Sequence, residues 1–263
     1  MKLELLGTLF LSDKRKDLLM LLVERPREIE EIKNTLNGTS SAIMTQIKIL
    51  IGQGLIVHEG DMYKLSNMGE VIVNKMCPLL KTLNVYEENR DYWQNHDVNY
   101  IPSSLLNQIE GLGHCELVEP ELDRMYELPK RIENELFKST YLMEVSSYFS
   151  PALHSLYIEL IRKGINVSLI ITEPVFERFR NEYIELLEEY LNKENVNLFV
   201  CACNIGLASS IVTDRFLALS LFYKNGIYHN HALMSVENGS ISWGESLFLH
   251  YRKNSRQITK SEL

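Results

Sequence analysis

The chain has 263 residues, 45% of them apolar and 24% charged, the profile of an ordinary soluble globular protein with room for one large or two average domains. No apolar run approaches the ~18 residues of a membrane span, and the charges in Met1-Lys2-Leu3-Glu4 leave no signal-peptide core, so a cytoplasmic protein without a membrane partner is expected. The formal net charge of -8 is unhelpful for a nucleic-acid binder, and residues 1–70, with nine Lys+Arg against ten Asp+Glu, carry -1 of it, leaving -7 for the remainder.

The first strong helix signal begins at Ser12, a candidate N-cap, and runs through the apolar Leu18-Leu19-Met20-Leu21-Leu22-Val23. Pro26 ends that helix or opens the next, in which Ile29, Ile32 and Leu36 share one face over 26–36. Asn37-Gly38-Thr39-Ser40 reads as a tight turn, with a positive φ expected at Gly38 and a capping hydroxyl after it. A third helix from about Ser41 to Gln53 turns Ile43, Ile47, Leu50 and Ile51 inward. Its outward face is Ser41, Met44, Thr45 and Lys48, with Gln46 beside it: short polar groups that can meet base edges and phosphates. Gly54–Leu65 reads as a hairpin around Glu59-Gly60-Asp61, followed by a helix from near Gly69.

Helix, helix, tight turn, helix, hairpin is the order of a winged helix-turn-helix. The segments Leu50-Ile51-Gly52-Gln53-Gly54-Leu55-Ile56 and Tyr63-Lys64-Leu65-Ser66-Asn67-Met68-Gly69 resemble the recognition-helix exit and wing of archaeal and bacterial winged-helix regulators. The resemblance implies double-stranded DNA as partner. Thr39, Ser40, Ser41, Met44, Thr45 and Lys48 are the candidate contacts, with Lys64 on the wing. The bland alternative is a winged-helix module used for protein contacts, because function belongs to the site and not the fold.

Beyond the wing, Met68, Val71, Ile72, Lys75, Met76, Leu79 and Leu83 continue a helical stripe that Pro78 is expected to interrupt. It reads either as a dimer-forming helix, since two recognition helices one DNA turn apart suit a pseudo-palindrome, or as a face packed on a neighbouring domain. The polar stretch Asn89–Asp97 is expected to end it. The domains so drawn are 1–70, a linker or dimerisation helix at 71–98, and 99–263.

From residue 100 strands alternate with helices. Strands are expected at Cys115–Glu119, Thr140–Ser146, Asn166–Thr172, Val196–Ala202, Ser210–Thr213, Leu217–Phe222 and Ala232–Ser235. Helices are expected at 121–137, 151–163, 174–192 and 245–255. The strands are nearly continuous apolar runs, as in a sheet covered on both faces. The fold class is thus an α+β winged helix-turn-helix followed by an α/β domain with a mixed sheet flanked by helices.

The run Val212-Thr213-Asp214-Arg215-Phe216-Leu217-Ala218-Leu219-Ser220-Leu221-Phe222, then Leu233-Met234-Ser235 and Ser240-Ile241-Ser242-Trp243-Gly244-Glu245-Ser246-Leu247-Phe248, resembles the middle domain of the Fil-type methanogenesis regulators over most of 110–255. More distantly it is similar to the phospholipase-D-like sensor domain of TrmB-type regulators. The resemblance implies a transcription regulator whose C-terminal domain senses a ligand or dimerises, and the reading taken is a homodimer responding to an unidentified small-molecule effector. Phospholipase-D enzymes use a His-x-Lys pair, nucleophile and phosphoryl binder. This chain has Thr213-Asp214-Arg215 there and no His-x-Lys anywhere, so no catalytic residue, and no enzyme, is expected.

A retained ligand site would use Arg215 with Ser240 and Trp243, against the plainer reading of an arginine paired with Asp214. Tyr141, Tyr148, Tyr157 and Tyr223 could line a pocket, though aromatic residues at element ends are more often core. Asn238-Gly239-Ser240 reads as a small-residue turn. Of the four cysteines none has Cys-x-x-Cys spacing, which suits a reducing compartment better than a disulfide framework. Cys201 and Cys203 share a strand face and could sense redox state or a metal with Cys115, His229 or His231, but no second ligand pair accompanies them, so no metal and no cofactor is expected. His229-Asn230-His231 is expected to lie solvated in a loop.

Overall fold

A computed structural model describes residues 4–125 and 127–262, which divide into two compact units, Met1–Lys81 and Thr82–Leu263. The first unit begins with α1 (Glu4–Phe10), which the sequence did not announce, and α2 (Asp13–Glu24). Ser12 stands extended before α2 but makes no side-chain cap. The proline-led helix expected over 26–36 is shorter. Arg27–Glu28 form a strand, β1, and α3 spans only Ile29–Thr35. Arg27 is buried there, clamped between Glu24 and Glu31, and its backbone pairs with Tyr63.

The tight turn uses Asn37, not Gly38, in the left-handed region (φ 44°). Gly38 is required for space instead: a Cβ there would lie 2.9 Å from the Ile43 side chain. α4 (Ser40–Gly52) follows, then β2 (Ile56–Glu59) and β3 (Met62–Leu65), which with β1 make a small sheet of order β1-β3-β2. Leu18, Leu19, Leu22, Ile32, Ile43, Ile47, Leu50 and Leu55 close one core beneath these elements. Burying such side chains contributes about 1.5–3 kcal/mol each.

α5 (Asn67–Glu88) begins two residues before Gly69 and runs unbroken through Pro78. Asn89–Asp97 is no linker. It holds α6 (Arg90–Asn95), whose Tyr92 and Trp93 are buried in the core of the second unit. The Tyr92 hydroxyl donates to the Leu219 carbonyl and accepts from the Leu221 N–H.

The second unit is built on an eight-stranded mixed sheet. Its strands are β4 (Glu116–Val118), β5 (Tyr141–Ser146), β6 (Asn166–Thr172), β7 (Val196–Cys201), β8 (Leu207–Thr213), β9 (Leu217–Leu221), β10 (Ala232–Ser235) and β11 (Ser255–Gln257), in the order β11-β7-β6-β5-β8-β9-β10-β4. β5, β6 and β7 are parallel and every other pairing is antiparallel, so the direction of progression reverses at β5.

Alternate residues of one strand serve different cores. Leu169 and Ile171 face a layer of α8 (Lys130–Leu136), α9 (Pro151–Arg162), α10 (Glu173–Glu182) and α11 (Ile184–Leu191). Ile170 faces a layer made by α6, α7 (Ser103–Leu106) and α12 (Asn238–Arg252). This is the two-face coverage that the apolar strand runs imply.

Three helices differ from expectation. The segment 121–137, of which Tyr126 lies outside the described residues, is a 3-10 turn and the short α8. The segment 174–192 breaks at Tyr183. α12 begins at Asn238, so Asn238-Gly239-Ser240 is a helical first turn and not a free loop. Gly244 lets α12 press on the sheet, since a Cβ there would meet Leu217 at 2.7 Å and Val212 at 3.0 Å. No helix among the described residues is long and apolar enough to cross a membrane.

Candidate functional site

In the first unit, α4 starts where it does because Thr39 is extended and its Oγ1 accepts from the Ala42 N–H at 3.3 Å. Ile43, Ile47 and Leu50 face the core, while Ile51, expected inside, is 40% exposed. The opposite face exposes Ser40, Ser41, Thr45 and Lys48, and Met44 is half-buried at its edge. The Thr45 hydroxyl donates to the Ser41 carbonyl at 2.8 Å and keeps its lone pairs outward. Gln46 is tied down: its Oε1 accepts from Arg15 Nη1 at 3.0 Å, and Arg15 also donates to the carbonyls of Thr8 and Gly7. Lys48 is exposed and enters no ion pair among the described residues. Lys64 pairs with Glu59 across the wing hairpin at 2.7 Å. The structure therefore brings Thr39, Ser40, Ser41, Thr45 and Lys48 together on one helix surface and leaves Lys48 as its uncompensated charge.

The residues expected to hold an effector in the second unit are not brought together. Arg215 Nε donates to Glu135 on α8 at 2.9 Å, and its neighbour Asp214 instead accepts from the Thr140 N–H and hydroxyl. Ser240 is fully buried and its hydroxyl donates to the Glu237 carbonyl at 2.7 Å. Trp243 is core, with Nε1 donating to the Leu105 carbonyl at 2.9 Å. Ser240 and Trp243 are buried with their polar groups bonded inside the protein, and Arg215 is held on Glu135, away from both.

His231, expected in solvent, is buried with its Nε2 2.9 Å from His96 Nε2. His96 Nδ1 lies 2.7 Å from the Tyr92 carbonyl and so carries the proton, which makes His231 the donor between the two rings. Burial pushes His231 down to about 4, so the pair is neutral near pH 7. His229 is exposed. Cys201 and Cys203 are joined in a disulfide, against the expectation of free thiols. β7 ends at Cys201 and the chain bends through Ala202 and Cys203, which brings the two Cα atoms to 5.2 Å, closer than in an extended strand and within bridging range. Cys77 and Cys115 are free, and among the described residues no group of three or more His, Cys, Asp or Glu is arranged to hold a metal.

A cavity of about 450 Å³ opens elsewhere, at the carboxyl end of β5. Its walls are Met125, Glu127 and Leu128, the segment Tyr148–Pro151 with Leu153 at the start of α9, and Tyr228–Asn230 from the β9–β10 loop. Of the tyrosines considered from sequence, Tyr148 alone among those four lines it. Under it, Glu144 is wholly buried in β5, accepting from the Tyr157 hydroxyl at 2.9 Å and the Ser209 hydroxyl at 2.8 Å. Desolvation pushes its carboxyl up to about 7. Sequence reasoning missed this site because its walls come from three segments remote from one another in the chain.

Two family models match the chain in order. The N-terminal domain of the methanogenesis regulatory protein FilR1 matches residues 3–84, and the middle domain of FilR1 matches residues 125–254. A curated relative, the methanogenesis regulatory protein FilR1 of Methanothrix harundinacea (strain 6Ac), is 24% identical over 257 residues. The match takes in 96% of this chain but 57% of that protein, so the chain spans little more than half the relative's length. Among solved structures, the archaeal chromatin protein TrmBL2 aligns over 97% of this chain and 98% of its own, at 11% identity and a TM-score of 0.45. The phospholipase D family member Nuc of Salmonella typhimurium aligns over 56% of this chain and 100% of its own, at 12% identity and a TM-score of 0.40.

Proposed function

From its membership of the FilR1 methanogenesis regulatory protein family, whose N-terminal and middle domains it carries in sequence order, we propose that this chain is a DNA-binding transcriptional regulator, homodimeric and responsive to a small molecule held in its second unit. The observation that carries the DNA-binding part is the exposed face of α4. A winged-helix recognition helix needs an outward surface of short hydrogen-bonding groups with at least one free cation, and Ser40, Ser41, Thr45 and Lys48 supply it. Thr39 takes part as the cap that exposes the first turn, Met44 as an apolar edge, and Lys64 as a wing contact once it exchanges Glu59 for a phosphate.

With a charge of -1 over residues 1–70, one protomer neutralises few phosphates. Useful affinity then depends on two α4 helices engaging together. The same near-neutral charge favours the second reading, a winged helix that contacts protein alone, and one measurement separates them. Lys48→Ala is expected to weaken binding to the chain's own upstream DNA in a mobility-shift titration and to lower the salt slope by about one per protomer. No shift by the wild-type chain at low salt supports the protein-contact reading. An unchanged shift in the variant removes α4 as the reading surface. The missing His-x-Lys pair, with Arg215 bound to Glu135, argues against a phosphodiesterase of the phospholipase-D type.

A further inference from the structure

We propose that the cavity at the carboxyl end of β5 is the effector site and that it takes an organic cation with an apolar body, held against the rings of Tyr148 and Tyr228. This deepens the ligand-responsive part of the function proposed above and rests on it.

Position is the first argument. In a sheet with parallel strands the crevice for a ligand lies beyond their carboxyl ends, where the strand order reverses and the outgoing connections diverge. Here β5 is that strand. Its chain neighbour β6 lies to one side, parallel, and β8 to the other, antiparallel. The loop leaving β5 supplies Tyr148 and Phe149, and β9, antiparallel to β8, delivers Tyr228 and Asn230 to the same end. At about 450 Å³ the space falls within the ~300–1,000 Å³ of small-molecule sites.

Chemistry selects the ligand. No Lys or Arg lines the cavity among the described residues. The two guanidiniums that contact lining residues are already paired, Arg124 with Glu127 and Arg178 with Glu182. The first turn of α9 could attract an anion, but two of its N–H groups are taken and a third is absent. Ser150 Oγ accepts from the Leu153 N–H, the His154 N–H bonds the Ser150 carbonyl, and Pro151 has no N–H. An anionic ligand would therefore lose its hydration with no lysine or arginine to replace it, only the His229 ring and the tyrosine hydroxyls.

A cation finds two supports. The rings of Tyr148 and Tyr228, both in the cavity wall, lie 5.1 Å apart and tilted by 35°, whereas Phe149 already carries Arg178 on its ring at 5.4 Å. Behind the tyrosines lies Glu144, a carboxyl without a cationic partner that burial keeps protonated up to about pH 7, and whose ionised form a cation nearby would favour. Ser209, which donates to it, shares a small adjoining space with both Tyr148 and Tyr228.

The test is a charge series on one body: benzyltrimethylammonium, benzyl alcohol and benzoate, titrated calorimetrically into the full chain. The ammonium compound is expected to bind about tenfold tighter than the alcohol, and benzoate weakest. Tyr148→Leu and Tyr228→Leu should abolish that preference, whereas Tyr148→Phe, which keeps the π face, should retain it. Melting curves verify that each variant is folded. Equal binding of all three probes overturns the charge class, and no binding of the ammonium compound at millimolar concentration overturns the site. A mobility shift run with the same probe distinguishes the two levels. Binding without a change in DNA affinity counts against the regulatory reading while the site stands. DNA binding without probe binding counts against the site alone.

Discussion

Glu144 is the residue whose environment most departs from what its type prefers. A carboxyl in the middle of a sheet, met only by the hydroxyls of Tyr157 and Ser209, loses its hydration without gaining a countercharge. Its folded-state value of about 7 lies above the ordinary 4.5, so between those values the folded protein holds a proton that the unfolded chain has released. The stability this contributes is full below about 4.5, declines as pH rises and is gone above about 7, amounting to about 3 kcal/mol. His154 and His231, both pushed down to about 4 by burial, act with the opposite sign, losing stability as pH falls below 6.5. The Glu144→Gln variant isolates the first effect. Its urea midpoint, compared with wild type at pH 5 and pH 8, should gain on the wild type at the higher pH, and parallel pH profiles would refute the shift. The sequence marked none of this, because a glutamate inside an apolar run looks the same whether it is neutral and buried or sits at a bulge. It also put the positive φ on Gly38, where the smallest residue was needed to clear Ile43 and Asn37 took the turn. Arg215, Ser240 and Trp243, grouped in the sequence reading as one site, instead bond separately to Glu135, Glu237 and Leu105.

Among the elements, α5 carries a row of apolar side chains that are exposed among the described residues. Met68, Val71, Leu79 and Leu83 are 62%, 54%, 49% and 41% exposed at spacings of three, eight and four residues, which keeps them on one stripe. Solvated apolar side chains in such a row suit a second copy of the same helix, and a symmetric pairing would also set two α4 helices for a pseudo-palindromic site. Val71→Glu combined with Leu79→Glu changes only exposed positions and should cost little stability. Sedimentation equilibrium is expected to show a monomer, with DNA affinity falling alongside it. A variant that stays dimeric moves the interface to another surface. This stripe was legible in the sequence, but the helix's continuity was not. A proline removes one backbone donor, and the carbonyl four residues earlier, at Asn74, lies on the exposed side with Pro78 itself, where water can serve it. The strands were legible to within a few residues because apolar runs bounded by turn residues have few other uses. The break at Tyr183, the early start of α12 and the edge strand β11 were not, because each is decided by what the segment packs against.

At the scale of the whole molecule, the apolar residues of the first unit close on themselves and those of the second unit form two layers about one sheet. Two cores that each close on their own residues can unfold separately, and the chain carries its own reporter. Both tryptophans, Trp93 and Trp243, are buried in the second unit, so their fluorescence follows that unit alone while far-ultraviolet circular dichroism follows both. Leu50 is fully buried in the first core, on the side of α4 opposite its exposed polar face. Leu50→Ala should destabilise that unit by about 2–5 kcal/mol through lost burial and the cavity left behind. Thermal melts should then separate, with an early dichroism step assigned to the first unit and a tryptophan transition at its wild-type temperature. Adding operator DNA should move the early step upward and leave the tryptophan transition where it was, since a ligand stabilises only the part that must be folded to bind it. If the tryptophan transition follows Leu50→Ala downward, the two units unfold as one cooperative body, and a signal from the second unit has a direct thermodynamic route to α4.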